Sequence, residues 1–245
     1  MAAPPCATPI RVALHNNGGL YDSEKGEGID IALVSALAQR LGCEVSFRVV
    51  PRNQAWTDLV EGTIDLAPSI LMTADRRTRA SFLPYLRNKP LTFLRPNVQE
   101  LDGPVFVATP TLKLGVIKAF SYGPTLDGLV TRIRTSGRDR ISEMTMSNQL
   151  PGLLIAGRVD GILVNPLQIT NPKKLIDEHH FVVRDWAQHE TAIETYMALS
   201  RRRFTDSDST AWAVALEELR SDGGLKTILE QFLPAEVVPS LLPAP

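Results

Sequence analysis

The sequence predicts an α/β fold in two similar lobes, each a mostly parallel sheet flanked by helices. Three observations carry this. Short β-branched segments alternate with segments of helical periodicity along nearly the whole chain. One phrase occurs twice, as Leu59-Val-Glu-Gly-Thr-Ile-Asp-Leu66 and Leu154-Ile-Ala-Gly-Arg-Val-Asp-Gly161. Gly62 and Gly157 are 95 residues apart, and so are Asp65 and Asp160. In each copy an apolar helical stretch stops at glycine, and aspartate opens a short apolar strand. The chain length of 245 residues suits two small domains, and 44% hydrophobic with 22% charged residues is ordinary for a globular protein. Two lobes imply a cleft, which is where small molecules bind.

The elements follow in order. Ile10–Leu14 reads as a strand, and Gly18-Gly19 and Gly26–Gly28 mark loop. Residues 29–41 place Ile31, Leu33, Val34, Leu37 and Leu41 at helical spacing before Gly42. Residues 44–50 form a β-branched strand, 53–61 a helix and 66–70 the first repeat strand. A basic helical turn is expected at 74–80, a turn at Pro84-Tyr85 and an extended segment at 91–94. A second lobe opens near residue 100, with strand 114–117, helix 123–135, repeat helix 148–156 and strand 162–164. Residues 181–183 are extended, and 192–199 return the chain to the first lobe. Helices at 207–222 and 225–232 flank Gly223-Gly224, and the proline-rich end is expected to be irregular.

Net charge is −1 with pI near 6.4, which gives no support to nucleic-acid binding. No apolar run approaches bilayer length. The first residues, Met-Ala-Ala-Pro-Pro, resemble a mature N-terminus from which a signal peptide has been removed. Cys6 and Cys43 each precede a predicted strand. If those strands are parallel neighbours, a disulfide is plausible, and it would place the protein in an oxidising compartment. The alternative is two unpaired thiols.

The order of segments resembles the periplasmic solute-binding proteins of the polar amino-acid type, solute-binding family 3. The matching residues are Gly28–Leu33 with Ala38–Gly42, Gly62–Asp65, Thr73–Arg76, Phe82–Tyr85, Leu114–Val116, Gly157–Asp160 and Leu219–Leu225. They run collinearly from about residue 10 to 232. The resemblance implies the two-lobed type II periplasmic binding protein fold. Lobe 1 would be 1–95 plus 197–245 and lobe 2 the insert 96–196, joined by a two-strand hinge and closing over a ligand. It also implies a monomer in the periplasm, a partner membrane permease of an ABC transporter, no cofactor and no catalysis.

The resemblance carries over to particular residues. Arg76 matches the family's arginine that clamps a ligand carboxylate, a task suited to its planar fork. Ser69 falls at the end of the first repeat strand, where the family places a hydroxyl or backbone acceptor. Phe120-Ser121 stands where the family has Gly-Thr-Thr before a helix, so Ser121 keeps a hydroxyl and Phe120 can offer a ring. The family's amine-binding acid is Asn165 here, a frequent hydroxyl is Leu71, and an acid common near the end of the first strand is His15. Arg52 replaces an apolar or aromatic wall. Tyr21 can stack on the ligand from the Gly-rich loop. Trp56, at helical spacing, reads as core, and Asp30, Asp65 and Asp160 as structural. These departures point to an anionic or carboxylate ligand more than to an α-amino acid.

Two other functions share the fold. One is a ligand-sensing protein without a dedicated transporter. The other is an enzyme similar to cyclohexadienyl dehydratase, which needs a general acid among Glu143, Glu190 and Glu194. Four histidines show no metal-ligand spacing, and no nucleophile elbow, P-loop or dinucleotide fingerprint is present.

Overall fold

The computed structural model describes Cys6 and residues 8–70, 72–137 and 139–243. The chain begins with β1 (Ile10–Leu14), α1 (Ile29–Leu41), β2 (Val45–Val49), α2 (Arg52–Glu61), β3 (Leu66–Ile70) and β4 (Ala80–Asn88). It continues through β5 (Leu91–Leu94), α3 (Gly103–Ala108), β6 (Leu114–Ile117), α4 (Pro124–Ser136), β7 (Ile141–Met144), α5 (Leu150–Ile155), β8 (Gly161–Val164), α6 (Pro172–His179) and β9 (Val182–Arg184). It ends with β10 (Ile193–Ser200), α7 (Asp206–Ser221), α8 (Gly224–Phe232) and α9 (Val238–Leu241).

Two compact units result, Met1–Arg87 with Ile193–Pro245, and Asn88–Ala192. The first holds a five-stranded sheet in the order β2-β1-β3-β10-β4, the second one in the order β7-β6-β8-β5-β9. In each, three parallel strands are followed by an antiparallel one. The expected boundaries lay near 95 and 197. The division falls earlier because β5 pairs with β8 and β9, which makes it part of the second sheet.

The repeated phrase performs the same job twice. Gly62 and Gly157 both take positive φ, 81° and 65°, and turn the chain from helix to strand. Asp65 then accepts the backbone N–H of Arg11 at 2.9 Å, and Asp160 accepts that of Lys113 at 2.9 Å. Each aspartate therefore ties the start of one strand to its parallel neighbour. Arg11 adds a side-chain ion pair, and its guanidinium holds the Asp65 carboxyl below the usual range against the opposing effect of burial.

β1 and β2 pair in parallel, Ile10 opposite Val45. Their starts meet at one sheet edge, where Cys6 and Cys43 form a disulfide with Cα atoms 5.6 Å apart. A closed loop of this length stabilises by about 3–4 kcal/mol in the chain-entropy account.

Some elements differ from the sequence reading. Pro84-Tyr85 lies inside β4 and makes no turn. β4 is an edge strand, where proline is tolerated, and the Pro84 carbonyl accepts from Arg220. α3 and α6 begin with proline in their first turn behind the caps Asp102 and Asn171, whose side chains accept from Val105 and Lys174. The proline-rich end carries α9, docked through fully buried Val238 and Leu241.

Arg140 organises one end of the second unit. It is buried, and its guanidinium bonds the carbonyls of Leu112, Val107, Phe106 and Thr109 at 2.8–3.0 Å and the Ser136 hydroxyl at 2.5 Å. Three of those carbonyls belong to the C-terminal end of α3, where a cation is favoured. Arg140→Leu is expected to lower unfolding stability by on the order of 3 kcal/mol or more, because it strands buried acceptors. Arg140→Lys is expected to recover only part of this, since one ammonium cannot meet five acceptors. Urea denaturation checks both, and a lysine variant of full stability would contradict the account.

Candidate functional site

In the first unit β3 ends in a bulge. Ala67 pairs with Ala198 and Ile70 with Tyr196, so β3 carries one residue more than β10 over that stretch. The extra length falls at Pro68-Ser69, and Ser69 adopts φ 58°, a conformation uncommon outside glycine. A buried hydrogen-bond cluster holds it there. The Ser69 hydroxyl donates to Asp30 Oδ2 at 2.7 Å, and the Tyr85 hydroxyl donates to Asp30 Oδ1 at 2.5 Å. The Ser69 N–H donates to Tyr85 Oη at 3.2 Å, and the two hydroxyls lie 3.0 Å apart. Asp30 is 2% exposed and Tyr85 fully buried. Burial pushes the Asp30 carboxyl up to about 7, against the opposing pull of the Tyr85 and Ser69 hydroxyls.

Gly28 makes this burial possible. It precedes α1 with φ 155°, and a Cβ there would lie 2.4 Å from the Leu20 carbonyl. The glycine lets Leu20 and Tyr21 pack against the helix start, where the Leu20 carbonyl accepts from the Asp30 N–H at 2.9 Å.

Ser69 also faces a cavity of about 540 Å³ within the first unit, lined by Arg52, Asn53, Trp56, Ser69, Ile70 and Arg76. Arg52, Asn53 and Trp56 come from one face of the first turns of α2. Arg76 opens the 3-10 turn Arg76–Thr78, and its guanidinium lies over the Trp56 ring, 4.7 Å from the centroid. Trp56 stacks on Phe82 at 6.3 Å, and Phe82 meets Tyr196 edge-on at 6.0 Å. This aromatic run supports the Arg76 fork from below. Among the described lining residues the charged ones are both arginines, so the cavity favours anions. His15, 3% exposed at the end of β1, has no hydrogen-bond partner for Nε2 among the described residues. Burial, and then the charge of Arg52, push its imidazole down to about 4, so it is neutral at physiological pH.

In the second unit the named residues are engaged locally. Asn165 is 3% exposed; its Oδ1 accepts from the Leu167 N–H at 3.0 Å and its Nδ2 donates to Asn88 Oδ1. The Ser121 hydroxyl donates to Asp127 Oδ2 at 2.6 Å, and Asp127 Oδ1 accepts from the Tyr122 N–H. At the N-terminus of α4 the Thr125 N–H donates to the Glu190 carboxylate. The chain's own acids thus meet these donors. Phe120 is 44% exposed, packs edge-on against Tyr122 at 4.8 Å, and lines a second hollow beside Lys118.

The family of bacterial extracellular solute-binding proteins, family 3, matches residues 10–235. The chain belongs to this family. Solved structures of the same fold include the substrate-binding domain 2 of Lactococcus lactis GlnP in its open conformation, 15% identical, covering 95% of this chain and 98% of that one, TM-score 0.71. A polar amino acid ABC uptake transporter substrate-binding protein from Streptococcus thermophilus is 17% identical over 92% and 86%, TM-score 0.70. An ancestral cationic amino acid solute-binding protein, AncCDT-1, is 17% identical over 92% and 96%, TM-score 0.69. No curated protein sequence matches. Among the described residues of this family 3 protein no helix is long and apolar enough to cross a membrane.

Of the residues singled out in this family 3 chain, the structure brings Arg52, Ser69 and Arg76 together around one cavity. Tyr21 is buried, and Leu71 lies outside the described residues. Trp56, read as core, is half-buried and carries Arg76; Asn53 was not foreseen. Both sit on the exposed face at the start of α2, where Arg52 was the available signal.

His15 and Asp30 shape stability with opposite signs. The folded His15 stays neutral down to about pH 4 while the unfolded chain protonates near 6.5, so its contribution to stability falls as pH drops through that window. The folded Asp30 takes its proton near pH 7, well above the unfolded value of 3.8, so its contribution rises as pH drops between them. Relative to the wild type between pH 7.5 and 5, Asp30→Asn is expected to lose stability and His15→Gln to gain it, each by roughly 2–3 kcal/mol. Urea midpoints at the two pH values check this, and parallel curves for all three proteins would contradict it.

Proposed function

We propose that this family 3 protein is a periplasmic capture protein for a small carboxylate-bearing solute, an amino acid or related organic anion. It acts as a monomer and delivers that solute to the membrane permease of an ABC transporter. The observation that carries the ligand class is the cavity of the first unit, whose described charged lining consists of Arg52 and Arg76. Two guanidinium groups line one pocket, Arg52 exposed and Arg76 half-buried, and their positive field draws an anion to it. The Arg76 fork, seated on Trp56, suits bidentate pairing with a carboxylate. Asn53 adds a hydrogen-bonding group to the lining without negative charge.

The transport role is supported by the family and by proteins of the same fold that belong to amino-acid ABC transporters. The Cys6–Cys43 disulfide fits an oxidising compartment. Asn165 replaces the acid that greets an α-amine in the family, and its amide is engaged within its own unit. This favours a carboxylate lacking the α-amine. We infer binding without turnover, and consumption of the captured solute during incubation would contradict that.

Calorimetry with a panel of L-amino acids and their deaminated carboxylates, succinate and glutarate among them, tests the reading. Binding by a carboxylate is expected. Arg76→Ala is expected to weaken it by roughly tenfold or more, the loss of a charge-assisted bidentate contact at a half-buried site. Arg76→Lys should recover only part, because it keeps the charge and loses the fork. Undiminished affinity in Arg76→Ala would overturn the assignment.

A further inference from the structure

Asp30 is a carboxyl group buried directly behind the pocket. Its side-chain partners are two hydroxyls, Ser69 on β3 and Tyr85 on β4. Its own element contributes the first turn of α1, and the Asp30 N–H is taken by the Leu20 carbonyl. The nearby pocket charges are Arg52 at the start of α2 and Arg76 after β3, with His15 at the end of β1. Each carboxyl oxygen is met by a hydroxyl, Oδ2 by Ser69 and Oδ1 by Tyr85. Ser69 belongs to both sides: its hydroxyl is committed to Asp30, and the residue lines the cavity.

We propose that a proton on Asp30 switches the Ser69 hydroxyl from a donor held by the carboxylate to a donor available to an anion in the pocket. An ionised carboxylate has acceptors only and must draw hydrogens from both hydroxyls. A protonated carboxyl becomes a donor, and its O–H turns to Ser69 Oγ, 2.7 Å away. The Ser69 hydrogen, no longer drawn by the carboxylate, then turns to an anion in the cavity that the residue lines, against Tyr85 Oη, 3.0 Å away, as the competing acceptor. The proton comes from solvent, and no covalent bond other than O–H changes. Burial brings the Asp30 carboxyl to about 7, so the switch turns within the physiological range, while His15 stays neutral there. Anion binding is thereby linked to proton uptake and strengthens as pH falls. The inference rests on the anion-binding reading of this pocket.

Nuclear magnetic resonance of the labelled full chain tests it, with sodium sulfate as the probe because its charge is constant over the range used. First, the Asp30 side-chain carboxyl carbon, assigned by its loss in Asp30→Asn, is followed across pH without ligand. An inflection near neutral pH is expected, and a midpoint below 5 overturns the switch alone. Sulfate is then titrated at constant ionic strength, reading the Ser69 and Arg76 N–H resonances. About tenfold or greater tightening is expected at pH 5.5 relative to 8.5. Asp30→Asn should hold the tight affinity at both pH values, and Ser69→Ala should bind weakly at both. The same pH ratio in either variant as in the wild type overturns the proposal. Tyr85→Phe keeps the ring and removes a bond that favours the carboxylate, so it should move inflection and affinity change upward together. This variant serves where Asp30→Asn does not fold. Sulfate that moves neither resonance at either pH would overturn the anion pocket, and this inference with it.

Discussion

One residue in the left-handed backbone region, Ser69, is the constraint on which the first unit's pocket depends. Such a conformation costs of order 1–3 kcal/mol and persists only where the surroundings fix it. Here the surroundings are a bulge against β10 and hydrogen bonds to Asp30 and Tyr85. The bulge turns the end of β3 so that Ser69 and Ile70 line the cavity beside α2 and Arg76. Asp30 could not be buried there if the loop before α1 stood away, and Gly28 allows that loop to close. Strand, helix start and loop therefore build one pocket together.

The two sheets repeat a single plan. Helix, glycine and an aspartate that ties two parallel strands recur at Gly62-Asp65 and Gly157-Asp160. The functional surfaces built on that plan differ. The first unit gathers two arginines and an aromatic support around a cavity. The second meets the donors before and at the start of α4 with its own Asp127 and Glu190. On the proposed function, anion recognition belongs to the first unit.

Much of this was legible in the sequence because local chemistry dictates it. The repeat, the parallel strands and the disulfide pairing follow from glycine stops, β-branched runs and two cysteines ahead of neighbouring strands. Arg52, Ser69 and Arg76 could be named through the family resemblance. The rest depends on distant partners. Asp30 reaches Ser69 and Tyr85 only in the folded chain, so it read only as a structural acid. Trp56 has the spacing of a core residue, and only the approach of Arg76 and Phe82 shows it as a support. Pro84 read as a turn because nothing local shows that β4 is an edge strand. α9 was unreadable because its apolar residues gain meaning only from the surface they dock on.

The central claim is that two arginines, one of them, Arg76, seated on Trp56, capture a carboxylate. Native mass spectrometry of the purified protein, before and after denaturation, tests it most directly. The account predicts a co-purified small molecule that bears a carboxylate and lacks an α-amine. A cationic or uncharged ligand held by the same protein would contradict it.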